Sequence, residues 1–144
     1  MGKKAAAILV GVFFVLCVGV ILVNQGTVNA SEARIVRIMG GDTYSVKAIR
    51  LEPQMMTVSP GTVVIWNNMA RVYEVKIIFE EGKVCADVTD AEVGFKLDAK
   101  SCFVTTWIKM GETTSLRFNE KGLYKYTVET PDDRVKSTGT IRVR

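Results

Sequence analysis

Residues Pro60 to Val75 read PGTVVIWNNMARVYEV, and this stretch decides the fold. Ser59-Pro60-Gly61 is turn chemistry: proline presets φ at one turn position and glycine accepts positive φ at the next. The run TVVIW that follows, Thr62 to Trp66, is β-branched and aromatic, too short for a helix, and ends on Asn67 and Asn68. A second run, YEVKIIF from Tyr73 to Phe79, alternates polar and apolar residues. Short alternating runs broken by tight turns specify strands.

The same grammar extends in both directions. Upstream lie RIVRI (Arg34 to Ile38), broken by MGGD, then TYSVKAIRL (Thr43 to Leu51), a bend at Glu52-Pro53, and MMTV (Met55 to Val58). Downstream lie FVTTWI (Phe103 to Ile108), TTSLRF (Thr113 to Phe118), LYKYTVE (Leu123 to Glu129) and GTIRVR (Gly139 to Arg144). No window carries sustained helical periodicity. Strands this close together without intervening helices predict an all-β domain of two antiparallel sheets packed face to face, with every second residue of LYKYTV and TTSLRF on the core. With 144 residues, 48% of them apolar, the chain can build one such core.

One segment does not fit. Glu80 to Ser101, EEGKVCADVTDAEVGFKLDAKS, is too polar for a core strand and too long for a hairpin turn, so it reads as an insertion in the 34–144 domain. Cys85 and Cys102 bracket it. In an exported domain such a pair is expected as a disulfide, and closing the 16 intervening residues stabilises by about 3 kcal/mol in the chain-entropy picture. Stapled loops on rigid sandwiches often carry function, and the same segment also reads as a plain insertion. Its candidate contact residues are Asp87, Asp90, Glu92 and Phe95, with Trp107 beside it.

Export is read from the first thirty residues. After MGKK, Ala5 to Val23 runs 19 residues without a charge. As a helix this spans roughly 28 Å, near the thickness of a bilayer core. Lys3 and Lys4 on its N-terminal side leave the N-terminus in the cytoplasm and the rest outside. We read 1–23 as a single-pass anchor in the cytoplasmic membrane and 24–33 as a polar linker to an extracytoplasmic, periplasmic domain. The alternative is a signal segment cleaved after the small-x-small VNA at Ala30, giving a secreted protein.

Charge excludes one large class of partner. From Ser31 onward there are 17 basic and 15 acidic residues, too balanced for a nucleic-acid footprint. Histidine is absent from the whole chain, which removes CxxCH haem attachment and any His-dependent triad. Asp87, Asp90, Glu92 and Asp98 lack the spacing of a Ca²⁺ loop and are interleaved with lysines, so they read as a solvated face. Glu80 and Glu81 diverge on a strand and make no glycosidase pair. Met55 and Met56 also point to opposite faces and read as core filler rather than Cu(I) ligands.

PQMMTVSPGTVVIWNN (Pro53 to Asn68), FNEKGLYKYTVE (Phe118 to Glu129) and the terminal GTIRVR together resemble the strands of cupredoxins. The resemblance covers about Val46 to Val143 with the insertion excepted, and it implies a Greek-key β-sandwich. It further implies mononuclear copper held by two histidines, a cysteine thiolate and a weak axial methionine. Here the first histidine position falls at Tyr73 and the cysteine position at Val128. ETPDDRVKSTG, where the last two ligands belong, contains neither histidine nor methionine. The resemblance therefore implies a copper frame without its ligands and without a cofactor.

The resulting expectation is a non-catalytic, membrane-tethered cupredoxin-like domain serving as an interaction or accessory subunit of a membrane or respiratory assembly. Within the family's wider circle, the second subunit of quinol-oxidising terminal oxidases joins a membrane helix to a copper-free domain of this type. The alternative is an electron-transfer or copper-handling protein that uses Met and Cys as ligands. No nucleophile, base and oxyanion donor come together in this sequence, so an enzyme is not expected.

Overall fold

The computed structural model describes residues 32–40, 48–71, 74–80, 88–99, 102–132 and 135–144. The expected anchor and most of the expected linker lie outside them. Among the described residues no helix is long and apolar enough to cross a membrane. The named elements are eleven strands.

Sheet A contains β1 (Ala33–Gly40), β2 (Ile49–Glu52), β4 (Thr62–Asn68), β6 (Thr89–Val93) and β9 (Thr113–Phe118), in the order β2-β1-β4-β9-β6. Sheet B contains β3 (Met55–Val58), β5 (Lys76–Phe79), β7 (Phe95–Leu97), β8 (Phe103–Thr105), β10 (Gly122–Glu129) and β11 (Lys136–Val143), in the order β3-β11-β10-β5-β8-β7. The opening stretch is therefore β4, its turn, and the approach to β5 on the opposite sheet.

The expectation of purely antiparallel sheets needs correction. β1 runs parallel to β4, and β3 parallel to β11. The reason lies at the edges, where one continuous segment leaves sheet A as β2 and re-enters in sheet B as β3. On the far side β6 leaves sheet A and becomes β7 of sheet B, turning at Gly94 with φ of +77°. A Cβ there would lie 2.9 Å from Thr114 Oγ1, so the corner requires glycine for both conformation and space. Segments that switch sheets close both edges of the sandwich.

β6 and β7 also revise the reading of the insertion. Its second half is sheet edge: Thr89 pairs with Phe118 and Lys96 with Val104. The polar composition that spoke against a core strand suits an edge strand, which has one face in water. RIVRI likewise runs on through Met39 to Gly40 instead of stopping at Ile38.

Strict alternation in β4 sends Thr62, Val64, Trp66 and Asn68 inward. The expected alternation in β9 and β10 is observed, with Thr114, Leu116 and Phe118, and Tyr124, Tyr126 and Val128, facing the core. Trp66 sits at the centre, with edge contacts to Phe95 at 5.5 Å, Tyr126 at 5.5 Å and Phe79 at 5.8 Å between ring centroids. Edge-to-face geometry places the positive rim of one ring against the negative face of another, stabilising each pair by roughly 1 kcal/mol beyond burial. Met56 packs partly on this core, whereas Met55 is 58% exposed on the edge strand β3. The core-filler reading holds for Met56 and fails for Met55, because adjacent residues of a strand face opposite ways.

Candidate functional site

Two regions compete for the role of site. The first is the end of the sandwich where β4, β5 and β10 come together, the end at which the resemblance places a metal. Asn68, fully buried, clamps it: its Nδ2 donates to the Ile108 carbonyl at 2.8 Å and its Oδ1 accepts from the Ala70 N–H at 3.0 Å. Val75 and Ile108 exchange backbone hydrogen bonds beside it. Thr130 donates its hydroxyl to Asp132 at 2.6 Å and its N–H to the Val135 carbonyl at 3.2 Å, closing the link between β10 and β11.

Ala70, Val75, Ile108, Val128 and Val135 are all buried at this end. Val128, at the position the resemblance assigns to the cysteine, is paired with Ile77 and Ser137 and offers only hydrocarbon. Tyr73 lies outside the described residues. Among those described, no three His, Cys, Asp or Glu side chains come together. This donor set does not fit a type 1 copper ion, which needs imidazole and thiolate: the chain has no histidine, and the Asn68 carboxamide is already engaged.

The second region lies on the outer face of sheet B. FVTTWI reads as one strand in the sequence, but β8 ends at Thr105, and Ile108 returns only as a single bridge to Val75. The break shifts the alternation by one residue. Ile108 turns inward, and Trp107 is left 39% exposed. Lys76 Nζ lies 5.7 Å from the centroid of the Trp107 ring, within cation–π range. Lys76, Trp107, Val104, Thr105, Thr106 and Lys96 line a hollow of about 250 Å³.

The residues proposed from sequence as one contact loop are not brought together. Asp87 lies outside the described residues. Asp90, on β6, faces Arg117 at 3.8 Å on the outer side of sheet A. The backbone of Glu92 belongs to the same strand. Phe95 is corrected from contact residue to core residue: it is 8% exposed and packs edge-on against Trp66 and Phe103. Cys102 is buried, its Sγ 3.4 Å from the Glu80 carbonyl oxygen, and Cys85 lies outside the described residues. Trp107 alone remains as an exposed aromatic at a hollow. Its two lysines went unnoticed in the sequence; the signal for Lys96 is the Phe-Lys-Leu alternation, which sends the lysine outward once Phe95 is recognised as core.

No family model matches the chain, and no curated protein matches it by sequence. Solved structures do. A reduced variant of amicyanin superposes with a TM-score of 0.50 at 19% identity, over 80% of this chain and 85% of that one. Two Cu(I) forms of amicyanin variants align with TM-scores of 0.49, at 18% and 19% identity, over 78% and 80% of this chain and 82% and 85% of theirs. The two-sheet architecture and the first of these superpositions agree that the domain has the cupredoxin-like fold.

Proposed function

We propose that this protein is a membrane-tethered, extracytoplasmic accessory domain that binds a protein partner through the Trp107 face and works without type 1 copper. The observation that carries the reading is the Trp107 hollow: an exposed indole with the Lys76 ammonium over its ring and Lys96 lining the same hollow. Cupredoxin-like domains usually serve electron transfer, and a domain of that fold with hydrocarbon at Val128 suits a supporting place in such an assembly.

The start of β1 supports the same reading. β1 begins at Ala33, beside Val63, and runs about 25 Å toward the Asn68 end. Trp107 and Lys76 lie toward that far end, since Val75 bridges Ile108 and the Asn68 side chain reaches the Ile108 carbonyl. The chain enters the domain at the start of β1, so an anchored domain would have its point of attachment at the end away from Trp107. We further propose a Cys85–Cys102 bridge; what supports it is the expected export of the domain and the burial of Cys102.

The test is to purify the full-length protein from membranes in mild detergent and measure intact mass, metal content and associated subunits. The expected result is retention of residues 1–30, a mass two hydrogens light, no copper, and partner subunits in fixed stoichiometry that are lost from a Trp107→Ala, Lys76→Gln variant. Stoichiometric copper with a charge-transfer band would overturn the reading in favour of Met and Cys ligation. Recovery as a partner-free monomer would overturn it as well.

A further inference from the structure

Resting on the accessory-domain reading, we infer that the Trp107 hollow takes an acidic peptide segment of the partner, with carboxylates on Lys76 and Lys96 and an apolar side chain against Trp107 and Val104. The argument is one of unmatched charge. Neither Lys76 nor Lys96 has a carboxylate within ion-pair distance among the described residues. Glu129 stands directly opposite Lys76 in register, but its carboxylate is held by Lys136 at 3.2 Å and is largely buried. Lys125 and Arg142 add further cations on the same outward rows of β10 and β11, and neither of them has an ion-pair partner among the described residues. Among the described residues the other carboxylates near these lysines are Glu74, two positions before Lys76, Asp98, two positions after Lys96 and accepting from the Cys102 N–H at 3.0 Å, and Glu80, beside Lys125; none lies within ion-pair distance of either lysine.

The hollow's floor supplies the apolar half of the recognition. Val104 faces outward on β8 between Ile78 and Lys96, yet is only 8% exposed. Trp107 closes one side, and Lys76 places its ammonium over the ring. Thr105 contributes little polar surface to a ligand, because the residue is buried and its Oγ1 lies against the Ile77 N–H, from which it accepts at 2.9 Å. Recognition therefore comes from two cations about a hydrophobic slot, which matches carboxylates flanking an apolar residue. A lipid headgroup shares the charge, but the hollow lies toward the end of the sandwich opposite the start of β1, which disfavours the membrane that holds the tether.

Trp107 is its own reporter, since the other tryptophan, Trp66, is fully buried. Full-length protein in neutral detergent micelles would be titrated with a blocked, Trp-free peptide alternating aspartate and leucine. Its lysine counterpart, inorganic phosphate, and vesicles containing an anionic phospholipid would be titrated in parallel. The expected result is a saturable change in Trp107 emission with the acidic peptide only. Its affinity should weaken as salt rises and drop about tenfold in a Lys76→Gln, Lys96→Gln variant. Both lysines are on the surface, and an unchanged urea midpoint would confirm that the variant folds.

The inference is overturned by any of four results: no saturable response to the acidic peptide, an equal response to the basic one, a response untouched by the double variant, or an equal response to phosphate or anionic vesicles. Its failure is separable from failure of the accessory reading. Partner subunits that still co-purify with the double variant would place the interface elsewhere on the domain, while loss of all partners from the wild type would remove the reading itself.

Discussion

Replacing Gly139 by alanine tests how the core is closed. Gly139 lies on β11 directly opposite Tyr126 of β10 and faces the core. A Cβ built there would stand 2.2 Å from Tyr126 Cζ and 2.3 Å from its hydroxyl oxygen. Carbon atoms in contact prefer about 3.5–4.0 Å, so the ring or the strand must yield by more than an ångström. The ring has nowhere to go, because Tyr126 is fully buried with Trp66 at 5.5 Å and Phe79 at 5.6 Å between centroids. Overpacking of a filled core costs about 1–3 kcal/mol, and more where relaxation is blocked. Glycine to alanine in a strand without a clash works the other way, stabilising by roughly 0.5–1 kcal/mol through the unfolded chain. The sign of the effect is therefore diagnostic. We expect a net loss of about 2–3 kcal/mol, seen in urea unfolding as a lower midpoint with unchanged slope. In a cycle with Tyr126→Leu the two losses should be less than additive, because the second change removes the ring that the first one strikes. A Gly139→Ala protein as stable as the wild type, or more so, would refute this account of the core.

Three further changes probe other parts of the argument. Burial pushes the Tyr126 hydroxyl up to about 12, offset only in part by the Trp66 indole N–H, which faces it without full hydrogen-bond geometry. The unfolded tyrosine releases its proton first, near 10, so between about pH 10 and 12 the folded state binds more protons and stability falls as pH rises. Tyr126→Phe should differ from the wild type by less than about 1 kcal/mol at neutral pH and escape roughly 2–3 kcal/mol of that alkaline loss, which chemical denaturation as a function of pH would show. Asn68→Ala leaves the buried Ala70 N–H without its acceptor and should cost about 2–3 kcal/mol, with hydrogen exchange accelerated around residues 68–70 and 108. Gly94→Ala forces a side chain into positive φ against Thr114. It should cost at least about 1–2 kcal/mol and speed exchange in β6 of sheet A and β7 of sheet B before the other strands of either sheet; uniform protection would argue that the corner is not strained.

How much of this was legible in the sequence depended on whether local chemistry or long-range pairing set the outcome. Ser59-Pro60-Gly61 and the alternation of β4, β9 and β10 are local, and these elements and their inward faces could be read directly. The parallel pairs could not, because whether β1 lies beside β4 in the same direction depends on which sheet the intervening segment joins. The strands within the insertion are hidden for a related reason: its polarity argues against a core strand, whereas an edge strand needs only one buried residue such as Phe95 to anchor it. Asn68 is legible by pattern, since the alternation that buries Val64 and Trp66 also buries Asn68, and an inward asparagine must find backbone partners. Trp107 was legible as an aromatic beside the insertion but not as an exposed one, because its exposure follows from a one-residue shift in register after Thr105.

The two ends of the domain have different chemistry, and that difference organises the functional reading. In a copper centre of this fold the ligands tie the end of one sheet to the link between the last two strands, so the metal also acts as a structural clip. Here that task falls to Asn68, which spans to Ile108 and Ala70, and to Thr130, which closes on Asp132 and Val135. Between these clamps lie Val128, Val75 and Ile108, buried as ordinary core. Among the described residues this end is tied by hydrogen bonds and hydrocarbon packing, with no cluster of metal-ligating side chains. What the surface offers instead is an indole and two lysines without carboxylate partners, on a face that the break in β8 exposes. On the function proposed above, those features serve recognition by a domain held close to the protein it binds.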